Sequence, residues 1–123
     1  MKALIVDDSA VMRKIVINAI AQMGITDVGH AADGQEAVKE ALSGNYDLVL
    51  LDWNMPNMLG IDALKVIRAK GITTPVIMVT TEAEKSRILE AIKSGANNYV
   101  VKPFQPDHLI GKIKDTLAKA GTG

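Results

Sequence analysis

Residues 48–57 read Leu48-Val49-Leu50-Leu51-Asp52-Trp53-Asn54-Met55-Pro56-Asn57. Four apolar residues in a row, stopped abruptly by a carboxylate, are the mark of a short strand buried on both faces, as in a parallel sheet covered by helices. Pro56 then forces a turn and restricts the residue before it. The same arrangement stands at the start of the chain, where Ala3-Leu4-Ile5-Val6 runs into Asp7-Asp8. Two buried strands that end in acids would bring Asp7, Asp8 and Asp52 to one edge of a sheet.

Outward from these two strands, the pattern alternates strand and helix five times. Strand-like runs fall at about 3–6, 27–32, 48–51, 76–79 and 99–101. Between them lie segments of helical period. Residues 9–23 turn Met12, Ile15, Val16, Ala19, Ile20 and Met23 to one side, with Ser9 as N-cap and Gly24 as the C′ residue. Residues 34–43 turn Ala37, Val38, Ala41 and Leu42 inward, and residues 60–70 do so with Leu64 and Ile67. Residues 83–94 use Ile88, Ala91 and Ile92, and residues 106–119 use Leu109, Ile110, Ile113 and Leu117. Five βα units predict a parallel sheet with helices on both faces, an α/β doubly wound architecture. The second strand is the least apolar, which suits an edge. Residues 1–120 read as one domain, and Ala120-Gly121-Thr122-Gly123 is expected to fray.

Composition narrows the function classes. The chain has 123 residues, 48% of them hydrophobic, with 14 Lys and Arg against 14 Asp and Glu. That balance argues against a nucleic-acid binder, which is usually basic overall. Residues 82–123, however, carry seven bases and five acids, a mildly basic second part. There is no cysteine, so thiol and disulfide chemistry are excluded. No run reaches the ~18 apolar residues of a membrane span, and the first apolar run is too short for a signal peptide. A soluble cytoplasmic monomer without a DNA-binding module is the expectation.

In open sheets of this kind the ligand site lies beyond the carboxyl ends of the strands. Asp7, Asp8, Asp52, Thr80 and Lys102 all fall at such ends. Taken singly, each has a bland reading: Asp7-Asp8 as a solvated loop pair near a helix start, Asp52 as a turn residue, Lys102 as an exposed lysine, Thr80 as a strand-end threonine. Taken together they describe a pocket. Three carboxylates raise one another's pKa, and a hard cation such as Mg²⁺ relieves the repulsion. The charges then balance, −3 from the acids, +1 from Lys102 and +2 from the metal. A backbone carbonyl in the turn after Asp52 is a further candidate ligand. A carboxylate so placed can act as a nucleophile toward a phosphoryl group, with the Lys102 ammonium and the Thr80 hydroxyl at its oxygens. The Lys102-Pro103 bond can be trans or cis.

These residues resemble the signature of the bacterial response-regulator receiver domain: Asp7-Asp8, Asp52, Thr80, Tyr99 and Lys102-Pro103, in order and over essentially the whole chain. Three stretches are similar to the chemotaxis type in particular: Asp52-Trp53-Asn54-Met55-Pro56-Asn57-Met58, Met78-Val79-Thr80, and Tyr99-Val100-Val101-Lys102-Pro103-Phe104. The resemblance implies a flavodoxin-like sheet of strand order 2-1-3-4-5. It implies that Asp52 accepts a phosphoryl group from a sensor histidine kinase (CheA-like). It implies that Asp8, Asp52 and the Asn54 backbone carbonyl bind Mg²⁺, with Asp7 orienting metal-bound water. Thr80 then moves to the phosphoryl group and the Tyr99 ring swings inward. That switch belongs to the face made by the fourth helix, fifth strand and fifth helix. Its partner side is expected at Lys85, Lys93, Tyr99, Lys112 and Lys119, with a flagellar-motor switch protein (FliM-like) as the target and a phosphatase as a further partner. Asn54 and Glu82 are implied to tune hydrolysis, giving a phosphoryl lifetime of seconds to minutes. Such a protein modifies itself and turns over no separate metabolic substrate.

Two positions depart from the family pattern. Thr81 stands where a smaller residue is usual, and its bulk is expected to slow access to the pocket. Leu59 stands before Gly60 where an acid or amide is common, which removes a turn-capping bond. Three other readings compete with a stand-alone switch. A phosphorelay intermediate returning the group to a histidine phosphotransfer protein differs in phosphoryl stability. A Mg²⁺-dependent phosphohydrolase differs in turning over free phosphate esters. A flavin carrier of similar topology is disfavoured, because Asp7-Asp8-Ser9-Ala10 repels phosphate and no glycine-rich loop is present.

Overall fold

The computed structural model describes residues 1–120, so the expected fraying of 121–123 lies outside the described residues. The elements are β1 (Lys2–Val6), α1 (Ala10–Ala21), β2 (Asp27–Ala31), α2 (Gly34–Ser43), β3 (Leu48–Leu51), α3 (Gly60–Ala69), β4 (Val76–Thr80), α4 (Lys85–Lys93), β5 (Asn98–Val101) and α5 (Pro106–Lys119). All neighbouring strands pair in parallel, in the order β2-β1-β3-β4-β5, the order expected from the resemblance. β2, the least apolar strand, does take an edge.

Alternation along the strands divides the core. Leu4, Val6, Val49, Leu51, Val76 and Met78 face α2, α3 and α4. Ala3, Ile5, Leu48, Leu50, Ile77, Val79 and Val100 face α1 and α5. Every residue of β3 and β4 is buried, which is why these strands read as unbroken apolar runs. Burial stabilises by about 1.5–3 kcal/mol for each large aliphatic side chain, and this central pair of strands carries much of that gain.

The helix stripes are narrower than the periodicity predicts. Ile15, Leu42 and Ile92 are 45%, 48% and 46% exposed, against the expectation that they point inward. Each lies on the flank of its stripe, next to a buried residue, Val16, Ala41 and Ala91 in turn. α4 is the extreme case: Ala91 is its only buried residue, with Ile88 packed part-way.

Ser9 caps α1 as expected, its hydroxyl accepting from Met12 N at 3.1 Å. Gly24 closes the same helix with φ of +83°, so that Gly24 N donates to Ala21 O at 3.0 Å and Ile25 N to Ile20 O at 3.3 Å. This paired closure is the left-handed glycine stop, and Gly71 and Gly95 repeat it after α3 and α4. Arg68 fastens two of the three closures together, donating to Ile72 O at 2.8 Å and to Gly95 O at 2.9 and 3.1 Å.

Candidate functional site

The register of the sheet brings the acids together. Val6 pairs with Leu51, so Asp7 and Asp52 leave adjacent strands at the same level. The backbone is still tied there: Asp7 N donates to Ala31 O at 3.1 Å and Asp52 N to Val6 O at 3.0 Å. At the next strands, Thr80 ends β4, and Lys102 N donates to Thr80 O at 2.8 Å. The Lys102-Pro103 bond is cis.

Carboxylate oxygens of Asp7, Asp8 and Asp52 all lie within 4.8 Å of one another. Asp7 and Asp52 are buried and Asp8 is exposed, so the cluster opens to water on one side. Lys102 Nζ lies between the two buried acids, donating to Asp7 Oδ2 at 2.6 Å and to Asp52 Oδ2 at 3.2 Å. The remaining Asp7 oxygen accepts from Ser9 N at 2.9 Å, and the remaining Asp52 oxygen from Trp53 N at 2.7 Å. Burial pushes the Asp52 carboxyl above the usual carboxylate range. The Lys102 ammonium and the Thr80 hydroxyl pull it back, and the Asp7 charge adds to the rise. Three acids against one buried ammonium form a set of hard oxygen donors with negative charge to spare, which is the donor set that suits Mg²⁺.

The turn after Asp52 is built by close approach. Gly60 N donates to Trp53 O at 2.8 Å, and a Cβ at residue 60 would stand 1.7 Å from the Asp52 carbonyl oxygen. Only glycine lets α3 start there. Asn57 takes φ of +67° and donates from Nδ2 to Asp33 Oδ2 at 2.7 Å. Asp33 also caps α2, accepting from Glu36 N at 2.8 Å. These two bonds hold its carboxyl below the usual range, the Glu36 amide first. Leu59 precedes α3 with no side-chain cap bond and is 41% exposed, in line with the reading of that position.

Across the pocket mouth, Asn54 Nδ2 donates to Glu82 Oε2 at 3.0 Å, so the two side chains singled out for tuning touch each other. Glu82 N donates to Thr80 Oγ1 at 3.3 Å, and the Tyr99 hydroxyl donates to Glu82 O at 2.6 Å. Thr80 is fully buried and Tyr99 nearly so. Burial, then the Glu82 and Asp52 charges, pushes the Tyr99 phenol up to about 12. Thr81 is exposed at the rim.

The expected partner side is mixed. Lys85, Lys93 and Lys119 are exposed, Lys112 is half-buried, and the Tyr99 ring is turned inward. Of these only Tyr99 and Lys112 line an open groove of about 680 Å³, together with Ile88, Ile92, Val101, Phe104 and His108 among others.

Sequence reasoning missed two contacts. The pairing of Asn57 with Asp33 spans 24 positions, and only the Asn after Pro56 and the Asp before a helix hint at it. Arg87 of α4 lies over the Trp53 ring, 5.3 Å from its centroid, and reaches Glu82 Oε1 at 3.7 Å. No spacing in the sequence signals that contact.

Comparison with known proteins bears on family and fold. The response regulator receiver domain family matches residues 3–114. The chemotaxis protein CheY of Pseudomonas aeruginosa is 47% identical over 116 residues, 93% of this chain and 94% of that protein. Among solved structures, the Francisella response regulator 1452 receiver domain superposes with a TM-score of 0.88 at 34% identity, covering 97% of this chain and 98% of its own. The chemotaxis response regulator CheY4 of Vibrio cholerae gives 0.86 at 36% identity, covering 94% and 98%. Among the described residues, no helix is long and apolar enough to cross a membrane. Matched along nearly its whole length in sequence and in fold, the chain belongs to the response-regulator receiver-domain family.

Proposed function

We propose that the chain is a phosphorylated signalling switch whose acceptor is Asp52, loaded by a histidine kinase in the cytoplasm. The observation that carries this reading is Lys102 Nζ, buried between Asp7 and Asp52 at 2.6 and 3.2 Å, beside a third carboxylate. The Asp52 carboxylate oxygen attacks phosphorus as the bond to the donor's imidazole nitrogen breaks, and that nitrogen keeps the electron pair and takes up a proton. A carboxylate whose basicity is raised by burial is the better nucleophile. Lys102 then turns from a carboxylate partner into a partner for a phosphoryl oxygen, and the Thr80 hydroxyl takes another. Asp7, Asp8, Asp52 and the Asn54 carbonyl would hold Mg²⁺, which supplies neutralising charge for the acids and the incoming group.

Thr80, Glu82 and Tyr99 form one hydrogen-bonded chain from the pocket to the groove beside α4 and α5. A phosphoryl group that draws the Thr80 hydroxyl toward itself changes what Glu82 and Tyr99 are bonded to, and so shifts the population of that face. The likeness to chemotaxis proteins favours a motor-switch protein as its target.

Trp53 reports on this. Its fluorescence should change on adding Mg²⁺ and again on adding acetyl phosphate. Asp52→Asn should abolish the second change, and a variant that still responds like the parent would remove Asp52 from the acceptor role.

A further inference from the structure

Glu82 is the busiest residue at the pocket mouth. One carboxylate oxygen accepts from Asn54 at 3.0 Å, and the other faces Arg87 Nε at 3.7 Å. Arg87 stands in the first turn of α4 and has two more contacts. Its guanidinium lies over the Trp53 ring at 5.3 Å, and Nη1 reaches Glu90 Oε1 at 3.8 Å. Glu90 is held in turn by Lys65 at 3.5 Å. Trp53 is buried and immediately follows Asp52, so it is a fixed floor for the planar cation. Asn54, Glu82 and Arg87 therefore form a bridge over the opening to Asp52, with one end on the acceptor turn and the other on α4.

Building on the phosphoryl reading above, we propose that Arg87 is a positioning residue for loss of the phosphoryl group. By holding Glu82 across the mouth, it limits water access to Asp52 and ties the lifetime of the modification to the seat of α4. An exposed ion pair at these distances adds little to stability, so the role belongs to placement rather than to holding the fold. α4 has one buried residue, the fewest of the five helices, which makes it the helix most readily displaced. Anything that docks on α4 and shifts Arg87 would then loosen the bridge.

The test uses the full chain carrying radiolabelled phosphoryl groups from acetyl phosphate, with release of inorganic phosphate followed after the donor is removed. Arg87→Ala should release the group about twofold to fivefold faster than wild type, the range an exposed charge contact spans. Arg87→Lys, which keeps the charge without the flat stacking surface, should fall between. Mg²⁺ affinity and urea midpoint should match wild type. In a Glu82→Ala background, adding Arg87→Ala should change nothing further, because the two act as one unit. A release rate in Arg87→Ala that is unchanged or slower, or equal acceleration in both backgrounds, overturns the proposal. A wild-type chain that takes up no label overturns the acceptor reading itself, and this role with it. Uptake with an unmoved Arg87→Ala rate overturns this role alone.

Discussion

The Tyr99 hydroxyl donates to the Glu82 carbonyl at 2.6 Å, joining β5 to the loop that follows Thr80. Tyr99→Phe removes the donor and leaves a carbonyl without its partner. It should destabilise the fold by about 1 kcal/mol, read as a lower urea midpoint at unchanged slope. The fluorescence response to Mg²⁺ should be retained.

The same phenol sets an alkaline limit. The Tyr99 and Tyr46 phenols are both pushed up to about 12, chiefly by burial. A folded-state value above the unfolded one of about 10 means that the fold favours the neutral phenol. That stability is complete below the unfolded value and is lost as pH rises from there through the folded value. Chemical denaturation at a series of alkaline pH values should show the decline, and a Tyr46→Phe, Tyr99→Phe double variant should flatten it.

Lys102 neutralises two buried acids at once. Lys102→Ala should cost about 3–5 kcal/mol in divalent-free buffer, because it leaves buried charges unpaired. Added Mg²⁺ should restore more stability to this variant than to wild type. Equal Mg²⁺ stabilisation of both, followed by thermal melts, would show that metal and ammonium do not share the same carboxylates.

Asp52→Asn should act in the opposite sense. With its folded value raised by burial, Asp52 favours the fold only while protonated. That contribution is full at acid pH and lost as pH rises through the folded value, so the ionised side chain lowers stability at neutral pH. Removing the charge should raise the neutral-pH melting temperature by about 3–5 °C, equivalent to about 1 kcal/mol. The advantage should vanish at acid pH.

Gly60→Ala tests the close approach of α3 to the turn after Asp52. A Cβ 1.7 Å from the Asp52 carbonyl forces the turn to move. The expected loss is about 2–3 kcal/mol, accompanied by weakened Mg²⁺ binding in a fluorescence titration.

Strand positions and the acid cluster were legible because burial on both faces writes itself into the chain as unbroken apolar runs, whereas the strand order came from the family resemblance. Leu48–Leu51 and residues 76–79 leave no polar position to blur the reading. Strand ends then place Asp7, Asp52, Thr80 and Lys102 without further information. Helix faces were less legible. Ile15, Leu42 and Ile92 satisfy the helical period yet lie exposed, because period fixes direction around the helix but not how wide the buried stripe is. Side-chain contacts made at turns and helix starts were legible least. The bonds of Asn57 to Asp33 and of Arg87 to Glu82 depend on where turns bring side chains after folding, and no local pattern encodes that.

The glycine closures at Gly24, Gly71 and Gly95 lie at the sheet edge opposite the carboxylates, and Arg68 clamps two of them. The molecule therefore has a sealed end and a working end. Sequence change at the sealed end should be registered as melting temperature, and change at the working end as affinity for a divalent ion. Turns at the working end can be rewritten while the clamp keeps the shape, so one scaffold can carry more than one set of residues at its mouth.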